Sequence, residues 1–134
     1  FALMSPKSIG KEYFSLSWLQ PHLKDEYKIV DVQATLLALT AHTIAQTLLK
    51  REEKLNLLYL CGGGAHNGFL HSFLTDLLPG IDVISTASAG IDPDYLEAMM
   101  FAWLASQTLN KISVDLSSIT GSKGPEILGS VYLP

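Results

Sequence analysis

Apolar residues recur along the chain at helical spacing in three long stretches, and two short apolar runs separate these stretches. The clearest helical period lies in "DVQATLLALTAHTIAQTLLK", which begins at Asp31, a plausible N-cap residue. The spacing predicts that one face of this helix carries Val32, Leu36, Leu39, Thr43 and Leu48. This stretch is the longest predicted helix.

Two predicted strands flank a second helix. Leu57 to Cys61 form a short apolar run that ends in three glycines, which indicates a buried strand. A helix is predicted from about Asn67 to Leu78, where Pro79-Gly80 closes it. Residues 81–86, "IDVIST", then form the second short strand.

The third helix, "DYLEAMMFAWLASQTL", is apolar on nearly every side between Tyr95 and Ala105, which predicts burial between other layers. Pro93 is expected in its first turn. A short helical stretch near Tyr13 to Leu19 and a short terminal strand in "SVYLP" complete the prediction. Helices and strands that alternate with short connections predict an α/β fold with a mainly parallel sheet.

Composition limits the classes of partner. The 134 residues are 48% hydrophobic, which suits one domain with its own core. The 9 basic and 13 acidic residues are scattered and give a net charge of -4, which argues against a nucleic-acid partner. No apolar run reaches the roughly 18 residues that span a bilayer, and no signal peptide is evident, so no membrane partner is expected.

Cys61 is the single cysteine. One cysteine forms no intramolecular disulfide and no Cys-rich zinc site, so a reducing, cytoplasmic location is expected. Cys61 itself is expected to be a small core residue. Because the chain begins with Phe1, we expect it to be part of a longer protein.

The segment "LYLCGGGAHNGFL" carries the candidate chemistry. A strand that ends in glycines and leads into a helix leaves backbone amides free at the helix N-terminus and lets a ligand approach the main chain. Close packing of the chain on itself is the alternative explanation. The segment lacks the P-loop pattern, and Asn67 stands where the dinucleotide pattern GxGxxG requires glycine.

Other polar residues give weaker signals. His66 and His71 are five residues apart, which does not match the spacing of two zinc ligands on one helix face. Asp92 and Asp94 are more typical of helix capping than of metal binding. Lys7 lies in a loop, where it could meet a phosphate or be solvated.

Five segments together resemble the anhydro-N-acetylmuramic acid kinase family, and they cover essentially the whole chain. They are "SPKSIGKEYF", "VDVQATLLALTAHTIA", "CGGGAHNGFL", "SAGIDPDYLEAMMFAWLA" and "ITGSKGPEILGSVY". The resemblance is to the C-terminal part of that family. It implies a single lobe over residues 1–134 with an actin-like ATPase (ribonuclease H-like) fold, as in hexokinase, actin and Hsp70, where nucleotide lies between two lobes.

The resemblance also implies a reaction and its ligands. The family uses ATP, Mg²⁺ and water to open the 1,6-anhydro ring of anhydro-N-acetylmuramic acid and to phosphorylate O6, which yields N-acetylmuramic acid 6-phosphate during peptidoglycan recycling. The adenosine part of ATP would contact Gly62, Gly63, Gly64, Ala65 and Asn67. Full-length members are expected to be homodimers.

No catalytic residue is expected in this chain, because the family's general base and first phosphate loop belong to the N-terminal lobe. The chain alone is therefore predicted to be inactive and to bind ATP weakly. Glu97 would reach the sugar, or else it is an ordinary first-turn acid that the helix dipole favours. The alternative function is a non-catalytic actin-like domain for nucleotide binding or assembly.

Overall fold

The computed structural model describes residue 10 and residues 12–132. Lys7, and most of the "SPKSIGKE" loop with it, lies outside this range. The described α-helices are α1 (Leu16–Leu19), α2 (Ile29–Leu49), α3 (Gly68–Leu77), α4 (Leu96–Leu109) and α5 (Ser117–Thr120). The described strands are β1 (Leu57–Leu60) and β2 (Asp82–Ser85), and short 3₁₀ turns cover Gln20–His22, Gly63–His66 and Thr86–Ala89.

Residues 27–99 form one compact unit, which contains α2, α3 and both strands. The described residues of a second unit are 10, 12–26 and 100–132. That residues 1–134 make up one lobe stays a prediction.

The two strands are parallel, with Leu57 opposite Asp82 and Leu60 opposite Ser85. A parallel pair needs a crossover connection, and α3 provides it. The predicted α/β architecture with a parallel sheet is thereby confirmed. The actin-like lobe stays a prediction.

The core of the first unit forms where α2 packs on α3 and α3 packs on β2. Its fully buried side chains include Leu74 and Leu78, and its other buried members are Ala41, Ala45, Leu70 and Val83. Alanines on α2 let α3 approach closely, because they project only a methyl group.

Two predictions about α2 are wrong. The helix begins at Ile29 after Lys28, so Asp31 lies in the first turn and is not the N-cap. The face that packs on the core is not the predicted one, although Leu48 belongs to both; it consists of Leu37, Ala41, Ile44, Ala45 and Leu48. The spacing misled because α2 is apolar on several sides, and the small alanines determine which side faces α3.

α2 is also long and apolar enough to cross a membrane by length and composition, with a mean hydropathy of 1.2. Helices in the core of soluble proteins pass the same test. The threonines of α2 donate their hydroxyls to backbone carbonyls of the preceding turn, as Thr35 does to Asp31 at 2.7 Å. The absence of a membrane partner stays a prediction.

Three segments are more exposed than predicted. β1 is exposed at Leu57 and Tyr59, and Cys61 is an exposed free thiol. α4 has no buried residue, and Phe101 and Trp103 are each more than half exposed. These burial predictions are wrong because the described elements do not supply a layer on every side.

α4 packs extensively against no other described helix or strand. Its last turns and residues 128–132 line an apolar groove of about 540 Å³, and the Thr108 hydroxyl donates to the Leu128 carbonyl. Residues 130–132 are not a strand, contrary to prediction; an isolated antiparallel bridge joins Val114 to Glu126 instead.

The 134-residue chain offers a matched pair of leucines for a stability test. Leu74→Ala should lower the free energy of unfolding by about 2–5 kcal/mol, because Leu74 is 0% exposed and its removal leaves a cavity. Leu109→Ala should lower it by less than about 1 kcal/mol, because Leu109 is 69% exposed. Urea unfolding of both variants measures the difference, and equal losses would show that α4 is covered in solution.

Candidate functional site

The glycine turn, residues 62–67, connects β1 to α3. It starts at Gly62, whose backbone has φ 68° and ψ -172°, a conformation that essentially only glycine adopts. Gly63–His66 then form a 3₁₀ turn in which the Ala65 amide donates to the Gly62 carbonyl at 2.9 Å. The geometry therefore explains the glycine at position 62.

Backbone geometry and crowding do not explain the next two glycines. Neither Gly63 nor Gly64 has a positive φ. A Cβ atom on Gly63 would meet nothing within 4 Å, and one on Gly64 would meet only Leu70 Cδ2 at an ordinary 3.5 Å. Close packing of the described chain on itself thus gives no reason for glycine at position 63.

Asn67 begins the helix that follows. Its side-chain oxygen accepts hydrogen bonds from the amides of Phe69 and Leu70, each at 3.1 Å, so Asn67 is the N-cap of α3. This bears out the predicted start of the helix. The side-chain amide nitrogen of Asn67 has no partner among residues 10 and 12–132.

The turn before α4 lies against the glycine turn. The Gly62 amide donates to the carbonyl of the buried Pro93 at 2.7 Å, and His66 Nε2 lies 2.9 Å from Asp94 Oδ1. Asp92 Oδ1 accepts the Asp94 amide at 2.9 Å, which holds this second turn in shape. Pro93 precedes α4, which begins at Leu96, so its predicted place in the first helical turn is wrong.

Among the acids, Asp92 caps the turn and Asp94 pairs with a histidine. Glu97 lies exposed in the first turn of α4 and has no ion-pair partner within the described residues. No group of three His, Cys, Asp or Glu residues in the described part of the chain could hold a metal ion.

Thr86 follows β2 directly, at the edge of the sheet where β1 leads into the glycine turn. Its side chain is buried, and its hydroxyl has no hydrogen-bond partner in the part of the chain that the structure describes. An unpaired buried hydroxyl is uncommon, and it marks this edge as polar in an otherwise apolar layer.

Comparison with known sequences relates the chain to a protein family. A sequence model of the family "Anhydro-N-acetylmuramic acid kinase" matches residues 1–134, which is the whole chain. The chain belongs to the anhydro-N-acetylmuramic acid kinase family. The family suggested by the glycine turn and its companion segments is therefore confirmed.

Curated relatives carry the same family name. The chain is 69% identical over 132 residues to an anhydro-N-acetylmuramic acid kinase of Legionella pneumophila (strain Corby) and 48% identical over 134 residues to one of Pseudomonas putida. Each match covers 98% of this chain but only 36% and 37% of the relative. The chain thus spans little more than a third of the length of these relatives.

Sequence reasoning missed the contact between His66 and Asp94. These residues are 28 positions apart, and no local pattern in either segment relates them. The available signal was the parallel pairing of the strands, since the segments that follow parallel strands emerge at the same edge of a sheet.

Two alanine substitutions test whether each glycine is needed for its backbone conformation or only leaves space beside the main chain. Gly62→Ala should lower the free energy of unfolding of the 134-residue chain by about 1–3 kcal/mol, because alanine is strained at this φ and ψ. Gly63→Ala should change it by less than about 1 kcal/mol, because the added methyl group meets open space. Urea denaturation measures both, and a large loss for Gly63→Ala would show that the position is crowded.

Proposed function

We propose that this chain forms the nucleotide-binding part of an anhydro-N-acetylmuramic acid kinase. The whole enzyme would use ATP and water to open the 1,6-anhydro ring of its sugar and to phosphorylate O6. One observation carries the proposal: Gly63 faces open space and has no conformational need to be glycine. The described chain gives no structural reason for glycine at this position, and a glycine there lets a ligand lie against the main chain.

A nucleotide suits the space in front of the glycine turn. The adenine and ribose are flat or compact groups, and Gly62, Gly63 and Gly64 present no Cβ atom that would keep them from the main chain. The side-chain amide nitrogen of Asn67, which has no partner among the described residues, can donate a hydrogen bond to a ligand, while its oxygen already accepts the two bonds of the helix cap. The residues that the family resemblance assigns to adenosine therefore have compatible chemistry.

Glu97 is the proposed contact to the sugar. A carboxylate accepts hydrogen bonds from sugar hydroxyl and amide groups, and Glu97 is exposed and has no ion-pair partner among the described residues. It follows the turn that is hydrogen-bonded to the glycine turn, within the same compact unit. Nucleotide and sugar contacts would thus come from connected segments.

The chemical step needs groups that would lie outside this chain. A general base must activate the attacking water, and cations must neutralise the phosphates. The described residues include no group of three His, Cys, Asp or Glu side chains that could hold a metal ion. We propose that the rest of the full-length protein supplies these groups as a second lobe of an actin-like fold. The full-length protein would be a cytoplasmic homodimer, and this chain alone would be inactive.

The full-length parent protein tests the reaction. Incubated with Mg-ATP and 1,6-anhydro-N-acetylmuramic acid, it should form a product heavier by one water and one phosphoryl group, together with ADP, as mass spectrometry detects. Gly63→Leu should reduce kcat/KM for ATP at least about tenfold, because the side chain fills the space proposed for adenosine. Gly68→Leu is the matched control, because Gly68 also faces open space but lies outside the turn.

Two results would contradict the proposal. Absence of product from a folded full-length protein that still binds ATP would favour the non-catalytic nucleotide-binding or assembly domain. Equal effects of the two leucine substitutions would remove the glycine turn from the nucleotide site while leaving the reaction standing.

Glu97→Gln distinguishes its two explanations. If Glu97 contacts the sugar, the variant of the full-length enzyme should show a KM for the sugar raised about tenfold, with the KM for ATP unchanged. If Glu97 only complements the helix dipole, the free energy of unfolding should fall by about 0.3–1 kcal/mol and both KM values should stay the same. Steady-state kinetics with each substrate varied in turn, alongside urea unfolding, measures both outcomes.

A further inference from the structure

We infer that His66 and Asp94 act as a positioning pair that holds the glycine turn in the conformation that accepts a nucleotide. The inference rests on the proposed function and extends it to two residues outside the proposed ligand contacts. Neither residue would touch ATP; they would act through the backbone of Gly63, Gly64 and Ala65.

The glycine turn is tied to the turn before α4 at two points. At its start, the Gly62 amide donates to the Pro93 carbonyl at 2.7 Å. At the far end of the 3₁₀ segment, His66 Nε2 lies 2.9 Å from Asp94 Oδ1. Gly63, Gly64 and Ala65, three of the residues proposed to contact adenosine, lie between these two ties.

The anchoring side is itself held in shape. Asp94 lies in a turn that the Asp92 carboxylate closes by accepting the Asp94 amide at 2.9 Å, and the Tyr95 amide donates to the Asp92 carbonyl at 3.2 Å. Pro93, between them, is buried and has a fixed φ. His66 therefore contacts a residue whose backbone is held by hydrogen bonds within the turn.

A restraint on the backbone has its largest effect on ligand binding where the backbone has the most accessible conformations. Three consecutive glycines have more accessible conformations than other residues, so ordering them on ligand binding costs conformational entropy. A restraint already present in the free protein lowers that cost and favours binding. The pair is exposed, with His66 61% and Asp94 57% accessible, so its contribution to overall stability should be small.

A double-mutant cycle in the full-length kinase tests the inference. His66→Ala and Asp94→Ala should each raise the KM for ATP about threefold to tenfold, and the double variant should raise it no further, because either change removes the same tie. The kcat should stay within about twofold, because neither residue touches the reacting atoms. His66→Gln should retain a KM close to that of the parent, because an amide nitrogen replaces Nε2 as donor to Asp94.

Arg51 and Glu53 provide the matched control. Their side chains form an equally short pair, 2.9 Å from Nη2 to Oε2, and are 54% and 73% accessible, but they lie in the loop between α2 and β1. Arg51→Ala and Glu53→Ala should leave the KM for ATP unchanged.

Hydrogen exchange of residues 62–66 in the same full-length variants supplies a readout that needs no turnover. Faster exchange of these amides in His66→Ala and in Asp94→Ala, together with the KM effect, supports the inference. Unchanged exchange, or additive KM effects in the double variant, overturns it while the parent remains an active kinase. A folded parent without ATP-dependent turnover overturns the proposed function, and the nucleotide role of the pair with it.

Discussion

The parallel pairing of β1 and β2 is the constraint on which the candidate site depends. Because Leu60 lies opposite Ser85, both strands end at the same edge of the sheet, and the segments that follow them start side by side. α3 makes this pairing possible, since it crosses back to the start of β2, with Leu74 buried on the helix and Leu78 buried directly after it. The core of the unit and the geometry of the glycine turn are therefore consequences of one arrangement.

The residues that follow the two strands differ in burial. The residue that follows β2, Thr86, is buried, whereas Cys61, Gly63 and Gly64 after β1 are exposed. Gly62 is needed for its backbone angles, while Gly63 and Gly64 leave space. Gly62 therefore has a structural role in the turn, whereas Gly63 and Gly64 leave the main chain open to a ligand.

The sequence predicted the location of most elements well because local signals determine them. The apolar run before the glycines became β1, "IDVIST" became β2, and α3 begins directly after Asn67, close to its predicted start. Burial was predicted poorly for α4 and β1. An apolar pattern indicates that a segment packs against other elements, but the described residues do not supply elements that cover these two. The relatives are almost three times as long as the matched segment, which is consistent with layers that lie outside this chain.

Contacts distant in sequence limited the prediction of the site. The glycine turn could be recognised from residues 58–70 alone, but its ties to Pro93 and Asp94 require the fold, because no local pattern relates segments about 30 positions apart. These ties change how the turn should be understood. A free loop of three glycines would lose much entropy on binding a ligand, whereas a loop fixed at both ends can combine an accessible backbone with a defined shape. Glycine at position 63 therefore need not make the turn flexible, because the contacts of Gly62 with Pro93 and of His66 with Asp94 restrain its backbone at both ends.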